Sequence, residues 1–301
     1  MSKYVFIVNP KSGNGVGESY GKKLEDMLPS MQVPYEVVYT NAPKHATQIA
    51  SRYTKEDDCI LVAVGGDGTM NEVLNGLQEG VTMAILPCGS GNDFYRLIDS
   101  HATDFKRMVE DTIYGKAVLV DYGILNGYKF LGSFSIGMDA NVVDRKVKIQ
   151  QKHKNARKSA YLLAVAQEVF AKKGSNITLE TNETTIQKSV LFVSALNARY
   201  YGGGFKAAPN ADIQDGKFDV TLVDEIGLLK IAQLLPKYMK GTHLGYKEVT
   251  TLTSDHFLLK GDHEIVAQCD GELFSGSTFE LTVMHHGVSV VIPRGSSYSC
   301  D

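Results

Sequence analysis

Short apolar runs alternate with segments of helical character over about the first 120 residues, and this alternation restricts the fold more than any other feature of the sequence. The apolar runs and the helical segments between them are, in order, residues 5–8, a helix ending at Leu28, 35–39, 45–53, 59–64, 71–77 and 83–86. Strands that are apolar on both faces and alternate with helices typically form a parallel sheet with helices on each side. The sequence therefore predicts an α/β domain with a doubly wound parallel sheet over residues 1–122.

The pattern of apolar and turn-forming residues changes after residue 122. Strand-like segments separated by Gly and Asn-Gly turns now dominate, at residues 129–134, 176–179, 190–194, 218–223, 256–259 and 279–284. Helical segments interrupt them at residues 159–171 and 228–240. This pattern predicts a second, mainly antiparallel β domain over residues 123–288. The segment 289–292 can pair in either domain, so residues 289–301 are free to return to the first.

Composition excludes several classes of protein. The 301 residues carry 31 Lys and Arg against 34 Asp and Glu, a net charge of −3, and 43% are hydrophobic. These values are typical of a globular protein rather than of a disordered chain or a basic nucleic-acid binder. No apolar run approaches the roughly 18 residues that span a bilayer, and the N-terminus does not resemble a signal peptide. We therefore expect a cytoplasmic protein whose contact with membranes is at most peripheral.

Cysteine and histidine patterns do not predict a zinc site. The four cysteines are scattered, and no pair has the two-residue spacing of a zinc knuckle. His285 and His286 are adjacent, and neighbouring side chains of a strand point to opposite faces. We therefore expect these two histidines to lie apart, and we predict no structural zinc.

A glycine-rich turn, Gly65-Gly66-Asp67-Gly68-Thr69, follows the apolar run 59–64 and precedes a helix that we expect to begin near Asn71. Glycines let a backbone approach a ligand closely, and the first turn of a helix offers N–H groups and a positive dipole end. Open α/β sheets bind ligands at this end of their strands. The turn therefore predicts a phosphate-binding loop, although a β-to-α turn that serves packing alone has a similar composition.

Two further polar loops follow neighbouring strands, at residues 9–13 and 88–93. Together with the glycine-rich turn they can converge on one crevice, while ordinary loop chemistry explains each of them singly. The chain has no Gly-Lys-Ser/Thr of a Walker A loop and no Gly-x-Ser-x-Gly hydrolase motif. The stretch 13–17 lacks the third glycine of a dinucleotide fingerprint at the correct offset, which disfavours a Rossmann dehydrogenase.

The three loops resemble a known family of lipid kinases. Asn-Pro-x-Ser-Gly at residues 9–13, Gly-Gly-Asp-Gly-Thr-x-Asn-Glu ending at Glu72, and Leu-Pro-x-Gly-x-x-Asn-Asp-Phe ending at Phe94 are similar to motifs of the diacylglycerol kinase and sphingosine kinase catalytic domain. The small bacterial members of this family are the nearest match. The similarity continues at residues 120–123, 202–204, 208–209, 215–218 and 269–272, and it therefore spans nearly the whole chain.

The resemblance implies which residues contact ATP. These residues are Asn9, Pro10, Lys11, Ser12, Gly13, Thr40, Gly66, Asp67, Gly68, Thr69, Asn71, Glu72 and Ser90. Ser90 stands where the family more often has threonine, which keeps the hydroxyl group. Gly91 stands where alanine is common.

A magnesium site is also implied by the resemblance. Asp212, Asp215 and Lys217 match a structural Mg²⁺ site that is built partly from backbone carbonyls. Phosphoryl transfer depends mainly on positioning and on neutralisation of charge, so amide-rich loops, Mg²⁺ and one proton-accepting carboxylate suffice for it.

Three carboxylates are candidates for catalysis. Asp67 lies within the glycine-rich turn, and Asp270 and Glu272 belong to the Asp-Gly-Glu segment that the family assigns to the general base. We assign Glu272 as the base because of its longer reach, and Asp270 as its positioning or metal-linked partner. Asp-Gly pairs are also typical of hairpin turns, which would explain Asp270 without any role in catalysis.

A basic stretch suggests where the acceptor comes from. Between Arg145 and Lys158 the chain has seven basic residues and no acidic residue. Such a segment suits an anionic membrane surface, although a solvated helix face is an equally good explanation.

We therefore predict a cytoplasmic, peripherally membrane-associated kinase that phosphorylates the hydroxyl of a lipid, with diacylglycerol as the leading acceptor. A kinase of a soluble alcohol or a nucleotide such as NAD, and a non-catalytic nucleotide-binding protein, are the alternatives. A nucleic-acid partner is not expected, and a homodimer is left open.

Overall fold

A computed structural model describes residues 2–89, 91–99, 101–102, 104–137 and 174–298. The strands are β1 (Lys3–Val8), β2 (Tyr35–Tyr39), β3 (Cys59–Gly65), β4 (Thr82–Pro87), β5 (Lys116–Leu125), β6 (Tyr128–Phe130), β7 (Ser133–Gly137), β8 (Ser175–Thr181), β9 (Thr185–Leu196), β10 (Phe218–Asp224), β11 (Val249–Ser254), β12 (His256–Cys269) and β13 (Glu272–Ile292). The helices in the described residues are α1 (Val16–Met27), α2 (His45–Ala50), α3 (Asp67–Gly76), α4 (Asp93–Ile98), α5 (Phe105–Ile113) and α6 (Leu228–Lys240). Short 3₁₀ turns occupy Ser12–Asn14, Leu28–Ser30 and Lys55–Asp57.

The first half is built on four strands in the order β2-β1-β3-β4, and each pair is parallel. Both faces of β1, β3 and β4 are largely buried because most of their residues are apolar, whereas the residues of the edge strand β2 are exposed or half-buried. On β1, Val5 and Ile7 pack with α2 and α3, whereas Phe6 and Val8 pack with α1 and α5. The carboxyl ends of the strands, and the loops that follow them, therefore lie along one edge of this part of the sheet.

The second half is antiparallel, with strand order β11-β10-β9-β7-β12-β13. Its core contains a cluster of buried phenylalanines from different strands: Phe130, Phe134, Phe218, Phe257 and Phe279. The rings of Phe130 and Phe218 stack with centroids 5.7 Å apart. The prediction of an α/β first domain and a strand-rich second domain is confirmed.

Two long strands, β5 and β13, connect the two halves. β5 pairs in antiparallel fashion along almost its full length with residues 281–292 of β13. β13 pairs with β12 in the second half, and at Ser289 and Val290 it pairs in parallel with Thr82 and Met83 of β4. The thirteen described strands therefore belong to one continuous sheet, and residues 121–123, where the texture of the sequence changes, lie inside β5.

Local differences from the predicted elements have physical causes. The strand predicted over residues 129–134 is interrupted between β6 and β7, because the N–H groups of Leu131 and Gly132 are bonded to a carboxylate instead of a neighbouring strand. The helix expected near Asn71 begins four residues earlier, since Gly66 accepts the hydrogen bonds that open α3. The predicted helix 159–171 lies outside the described residues.

His285 and His286 do not lie on opposite faces, and that expectation is wrong. The register between β13 and β5 shifts between Met284 and Val288, and His286 has a left-handed backbone with φ of 50°. This β-bulge turns both side chains to the same side, where their rings stack with centroids 3.8 Å apart.

α6 is amphipathic and rests on the second half. Ile231, Leu234 and Tyr238 are buried beneath it, whereas Leu229 is 84% exposed. Among the described residues, no helix is both long enough and apolar enough to cross a membrane.

Candidate active site

Three loops meet at the carboxyl ends of β1, β3 and β4. Asn9, after β1, donates its side-chain N–H to Thr69 Oγ1 at 3.0 Å, which joins the first loop to the glycine-rich turn. A side chain on Gly13 would overlap the carbonyl oxygen of Cys88, and a Cβ on Gly89 would lie 2.6 Å from Gly66 Cα. Because these contacts are between backbones, the loops approach as closely as chains can, and glycine is required at the contact points. The three loops therefore contact one another, and their convergence on one ligand-binding crevice stays a prediction.

The glycine-rich turn leads directly into α3. Gly66 is the N-terminal cap residue, and its carbonyl accepts the N–H groups of Thr69 and Met70 at 3.0 and 3.1 Å. The first turn of α3 consequently begins with Asp67 and Gly68, and a Cβ at Gly68 would meet no atom within 4 Å. The start of a helix favours negative charge, so the open side of this turn is suited to an anionic ligand.

Asp67 joins the glycine-rich turn to the third loop. Its two carboxylate oxygens accept the backbone N–H groups of Asn92 and Asp93, each at 2.9 Å, and thereby cap α4. Burial raises the pKa of Asp67, and these two N–H groups act in the opposite direction. The carboxylate therefore fixes the two loops in relation to each other and places an acidic group beside them.

The other residues predicted to contact the nucleotide lie in different environments. Thr40 follows β2, and its N–H donates to Val8 O at the end of β1. Pro10, Lys11 and Ser12 belong to the loop that follows β1. Glu72 has a different environment, because its side chain accepts the N–H of Ala46 at the start of α2. Ser90 lies outside the described residues.

Asn71 is buried on α3, and both polar atoms of its side chain lack a partner within the described part of the chain. One turn further along the helix, Asn75 exchanges hydrogen bonds with the backbone of Lys129 in β6. α3 thus contacts the second half through the side chain of Asn75. An unsatisfied buried amide costs roughly 1–3 kcal/mol, so a ligand or water at Asn71 is expected to satisfy it.

Asp270 and Glu272 occupy the hairpin between β12 and β13. Asp270 and Gly271 form the turn, with φ values of 44° and 89°, as is typical of an Asp-Gly hairpin. The turn, and not alternation along a strand, therefore orients Asp270. Glu272 is the first residue of β13, and its side chain is exposed.

The carboxylate of Asp270 is held by a loop of the second half. It accepts the backbone N–H groups of Leu131, Gly132 and Ser133 at 3.1, 3.0 and 2.7 Å. Burial raises the pKa of Asp270 to about 6, and the negative charge of Asp67 contributes to the increase. The charges of Asp270 and of Asp67 in the first half therefore act on each other.

Tyr128 lies beside the same hairpin. Burial raises the pKa of its phenol, and the charges of Asp270 and Glu272 raise it further. The hairpin carboxylates and the phenol are thus close enough to influence one another electrostatically.

The predicted metal residues lie on one loop. Asp212 accepts the N–H of Gln214 at 3.1 Å, and Asp215 accepts the N–H of Lys217 at 2.9 Å. Partial burial raises the pKa of Asp215, and the charges of Asp212 and Asp121 raise it further. The loop therefore concentrates negative charge and oxygen donors.

Sequence reasoning missed two carboxylates. Asp121, in the middle of β5, is fully buried and accepts the N–H of Gly216 at 2.6 Å. Asp93 accepts the N–H of Gly203 at 2.8 Å, which links the third loop of the first half to a glycine turn of the second. The signal for Asp121 was present, since it is a charged residue flanked by apolar residues in Val-Leu-Val-Asp-Tyr.

Comparison with protein families gives two matches that together cover most of the chain. Residues 3–125 match the model described as the diacylglycerol kinase catalytic domain. Residues 132–292 match the model described as the YegS C-terminal NAD kinase beta sandwich-like domain. The first of these models is a kinase domain, which defines the class of the chain. The chain belongs to the diacylglycerol kinase catalytic-domain family, in the type that carries a YegS-like C-terminal domain.

Individual relatives are similar over their whole length. The chain is 24% identical to the diacylglycerol kinase of Bacillus subtilis over 308 residues, with 100% of both chains covered. It is 27% identical to the diacylglycerol kinase of Mycobacterium tuberculosis H37Rv, with 98% of this chain and 96% of the relative covered. A crystal structure of a diacylglycerol kinase from Bacillus anthracis has 18% identity and a TM-score of 0.73, with 97% of each chain covered. The fold of that structure is therefore shared over 97% of this chain.

Proposed function

We propose that the chain transfers the γ-phosphoryl group of ATP to the hydroxyl of a lipid, with diacylglycerol as the preferred acceptor. One arrangement carries this proposal. The three backbone-rich loops around Asp67 lie on the first half, and the hairpin with Asp270 and Glu272 lies on the second, with the charges of Asp67 and Asp270 acting on each other. A nucleotide on one side and an alcohol on the other would meet between them.

The residues of the three loops fit a nucleotide. Gly68 and Thr69 belong to the open first turn of α3, Gly66 caps it, and Asn9 and Gly13 belong to the first loop. We propose that the polar and backbone groups of these residues bind the phosphates. The unsatisfied side chain of Asn71, buried on the same helix, supports a ligand at this position. When bound, ATP supplies the phosphoryl group that is transferred.

The loop around Asp215 fits Mg²⁺. Asp212 and Asp215 offer carboxylate oxygens, and Lys217 would contribute its backbone carbonyl, because Mg²⁺ prefers oxygen ligands. The raised pKa of Asp215, caused first by partial burial and then by Asp212 and Asp121, supports a cation here because a cation would offset the repulsion. When bound, Mg²⁺ would supply positive charge to this acidic loop.

The hairpin would perform the proton transfer. We assign Glu272 as the base that takes the proton of the acceptor hydroxyl at a carboxylate oxygen while the hydroxyl oxygen attacks the γ-phosphorus and ADP leaves. Asp270, held by three N–H groups, would keep the hairpin in register with the loop 131–133. The side chain of Asp67 would hold the first-half loops in position during transfer.

An acceptor assay tests this proposal. Purified protein is incubated with ATP labelled at the γ-phosphate and with diacylglycerol, monoacylglycerol, a sphingoid base or ceramide in mixed micelles, or with NAD in solution. We expect label in the lipid fraction, most rapidly with diacylglycerol. Label transfer to NAD in the absence of micelles would show that the acceptor is a soluble molecule and not a lipid. Binding of ATP without transfer to any acceptor would make the chain a nucleotide-binding protein.

One observation favours NAD as the second candidate acceptor. The model that matches residues 132–292 is described as NAD kinase beta sandwich-like, and this half carries the proposed base. The fold of the acceptor half is thus compatible with a nucleotide alcohol as well as with a lipid. The assay without micelles separates the two.

We also propose peripheral contact with an anionic bilayer. The predicted basic stretch, residues 145–158, lies outside the described residues, but α6 and the loop after it form a second segment with lysines and no acidic residue between positions 228 and 247. Exposed Leu229, Leu244 and Tyr246 lie among these lysines. Apolar side chains flanked by basic ones are typical of helices that bind at the membrane interface.

Neutralising this segment should weaken membrane binding. Each lysine near an anionic bilayer contributes about 1 kcal/mol, so replacing Lys237, Lys240 and Lys247 with Gln should reduce vesicle binding by roughly 100-fold at low salt. Sedimentation with phosphatidylserine-containing vesicles measures this. The matched control replaces exposed lysines of the first half with the same change of charge: Lys44, Lys55 and Lys106. Equal losses in both triple variants would contradict a specific bilayer contact at α6.

A further inference from the structure

The β-bulge in β13 brings together three potential metal ligands. His285 and His286 form the bulge, and Asp121 lies opposite them on β5. One ligand atom from each of the three residues lies within 4.8 Å of the other two. Asp121 is 164 residues away from His285 in the chain, so no local sequence pattern indicates this cluster.

Asp121 is the fixed member of the cluster. It has no solvent exposure, and its Oδ1 accepts the backbone N–H of His286 at 2.7 Å, while its Oδ2 accepts the N–H of Gly216 at 2.6 Å. Oδ1 also lies 3.0 Å from Nδ1 of His285. The carboxylate is thus pre-oriented toward an imidazole by two backbone bonds.

The histidines are the accessible members of the cluster. The side chain of His285 is 55% exposed, and the ring of His286 stacks against it at 3.8 Å with an angle of 25° between the planes. A simple Asp–His hydrogen bond would account for His285 alone. It would not account for a second imidazole that a left-handed backbone brings to the same side of the strand.

We propose that Asp121, His285 and His286 bind a divalent transition-metal ion, with Zn²⁺ as the best match. Imidazole nitrogen and carboxylate oxygen are common zinc ligands, at about 2.0–2.2 Å from the metal, which places ligand atoms of a tetrahedral site about 3.3 Å apart. The Asp121–His285 separation of 3.0 Å is close to this value, and rotation of the exposed rings brings in the third ligand. The metal takes the place of the imidazole proton, and water completes the coordination.

This site differs from the proposed magnesium loop in its chemistry. Imidazole suits zinc, cobalt, nickel and copper, whereas Mg²⁺ is bound by carboxylate, carbonyl and water oxygens. The two sites are nevertheless neighbours, since Asp121 bonds to Gly216 between Asp215 and Lys217, and a Cβ on Gly216 would lie 3.0 Å from His285 Nδ1. A zinc ion at the bulge would therefore tie β5, β13 and the magnesium loop to one another.

The experiment measures metal binding by the full chain and requires no kinase activity. After removal of metals with a chelator, the protein is titrated with Zn²⁺, with Mg²⁺ as a comparison, and with Co²⁺, whose visible absorption reports its ligands. We expect one Zn²⁺ per chain that Mg²⁺ does not displace, a Co²⁺ spectrum with nitrogen ligation, and an increase in the melting temperature of about 3 °C or more at saturating Zn²⁺.

Single substitutions keep the buried carboxylate intact. His285→Gln and His286→Asn should each weaken Zn²⁺ binding at least 10-fold and remove the Zn²⁺-dependent increase in melting temperature, and Asn tolerates the left-handed backbone at position 286. His101→Asn is the matched control, because His101 is also exposed and also left-handed, with φ of 58°. Zn²⁺ binding that is absent in the parent, or equal in the parent and both variants, would overturn the proposal and leave the bulge as a hydrogen-bonded contact.

Discussion

Removing the carboxylate of Asp67 is expected to reduce kcat/KM by at least about 100-fold while the protein remains folded. Asp67→Ala deletes both bonds to the N–H groups of Asn92 and Asp93, and with them the connection between the glycine-rich turn and the third loop. Asp67→Asn keeps the size of the side chain, but its NH₂ group is a donor. It cannot accept a hydrogen bond from the backbone N–H group that it faces, so one of the two bonds is lost. Both variants should therefore lose activity, as measured by label transfer from ATP to diacylglycerol micelles.

A second helix cap provides the control. Asp104 caps α5 through the N–H of Arg107 at 2.9 Å, and it lies outside the three loops. Asp104→Ala should lower the free energy of unfolding by about 1 kcal/mol, as cap removal does, without loss of activity. If Asp67→Ala kept more than about a tenth of the parent kcat/KM, a change below about 1.4 kcal/mol, the role of Asp67 would be that of a cap alone.

Glu272→Gln is expected to lower kcat by about 100-fold or more with nearly unchanged affinity for ATP. Glutamine has the shape of glutamate but cannot accept a proton, and Glu272 lies on the half opposite the proposed nucleotide loops. Single-turnover kinetics and equilibrium ATP binding measure the two quantities separately. Glu264→Gln, on the neighbouring strand β12 and also exposed, is the matched control and should behave as the parent.

The pH dependence separates the two hairpin carboxylates. Asp270 has its pKa raised to about 6 by burial, so its carboxylate is protonated below that pH and loses acceptor capacity toward the N–H groups of residues 131–133. Activity should therefore fall as the pH drops through about 6, in the parent and in Glu272→Gln alike. The free energy of unfolding changes in the opposite direction. Because the pKa of Asp270 is raised in the folded state, that state binds the proton more tightly than the unfolded state, and the contribution of Asp270 to stability increases as the pH falls. An active Glu272→Gln together with an inactive Asp270→Asn would make Asp270 the base, and activity in both would remove the hairpin from the mechanism.

The sequence was most informative where a property is local. Apolar runs with β-branched residues predicted β1, β3 and β4, because a strand buried on both faces has to be apolar on both faces. Asp270-Gly271 predicted a hairpin turn, because that pair tolerates the positive φ that a tight turn requires. The three loops and their order along the chain were likewise visible as glycine-containing motifs.

What the sequence could not provide are contacts between distant segments. Neither the bonds from residues 131–133 to Asp270 nor the pairing of Asp121 with the bulge in β13 has a local signal, since each joins positions more than a hundred residues apart. The bulge itself reverses the inference drawn for His285 and His286. Strand alternation places neighbours on opposite faces only while the backbone stays extended, and φ of 50° at His286 ends that condition.

The path of β13 also determines when the first half can be completed during synthesis. β4 has β3 on one side from an early stage, but its other neighbour comes from Ser289 and Val290, with Ser289 bonded to Thr82 across 207 residues of chain. Until the ribosome has released those residues, the nascent chain exposes the apolar strand β4 with one edge unpaired. Such an edge is a template for pairing with other chains, so this protein should need protection from aggregation for most of its translation.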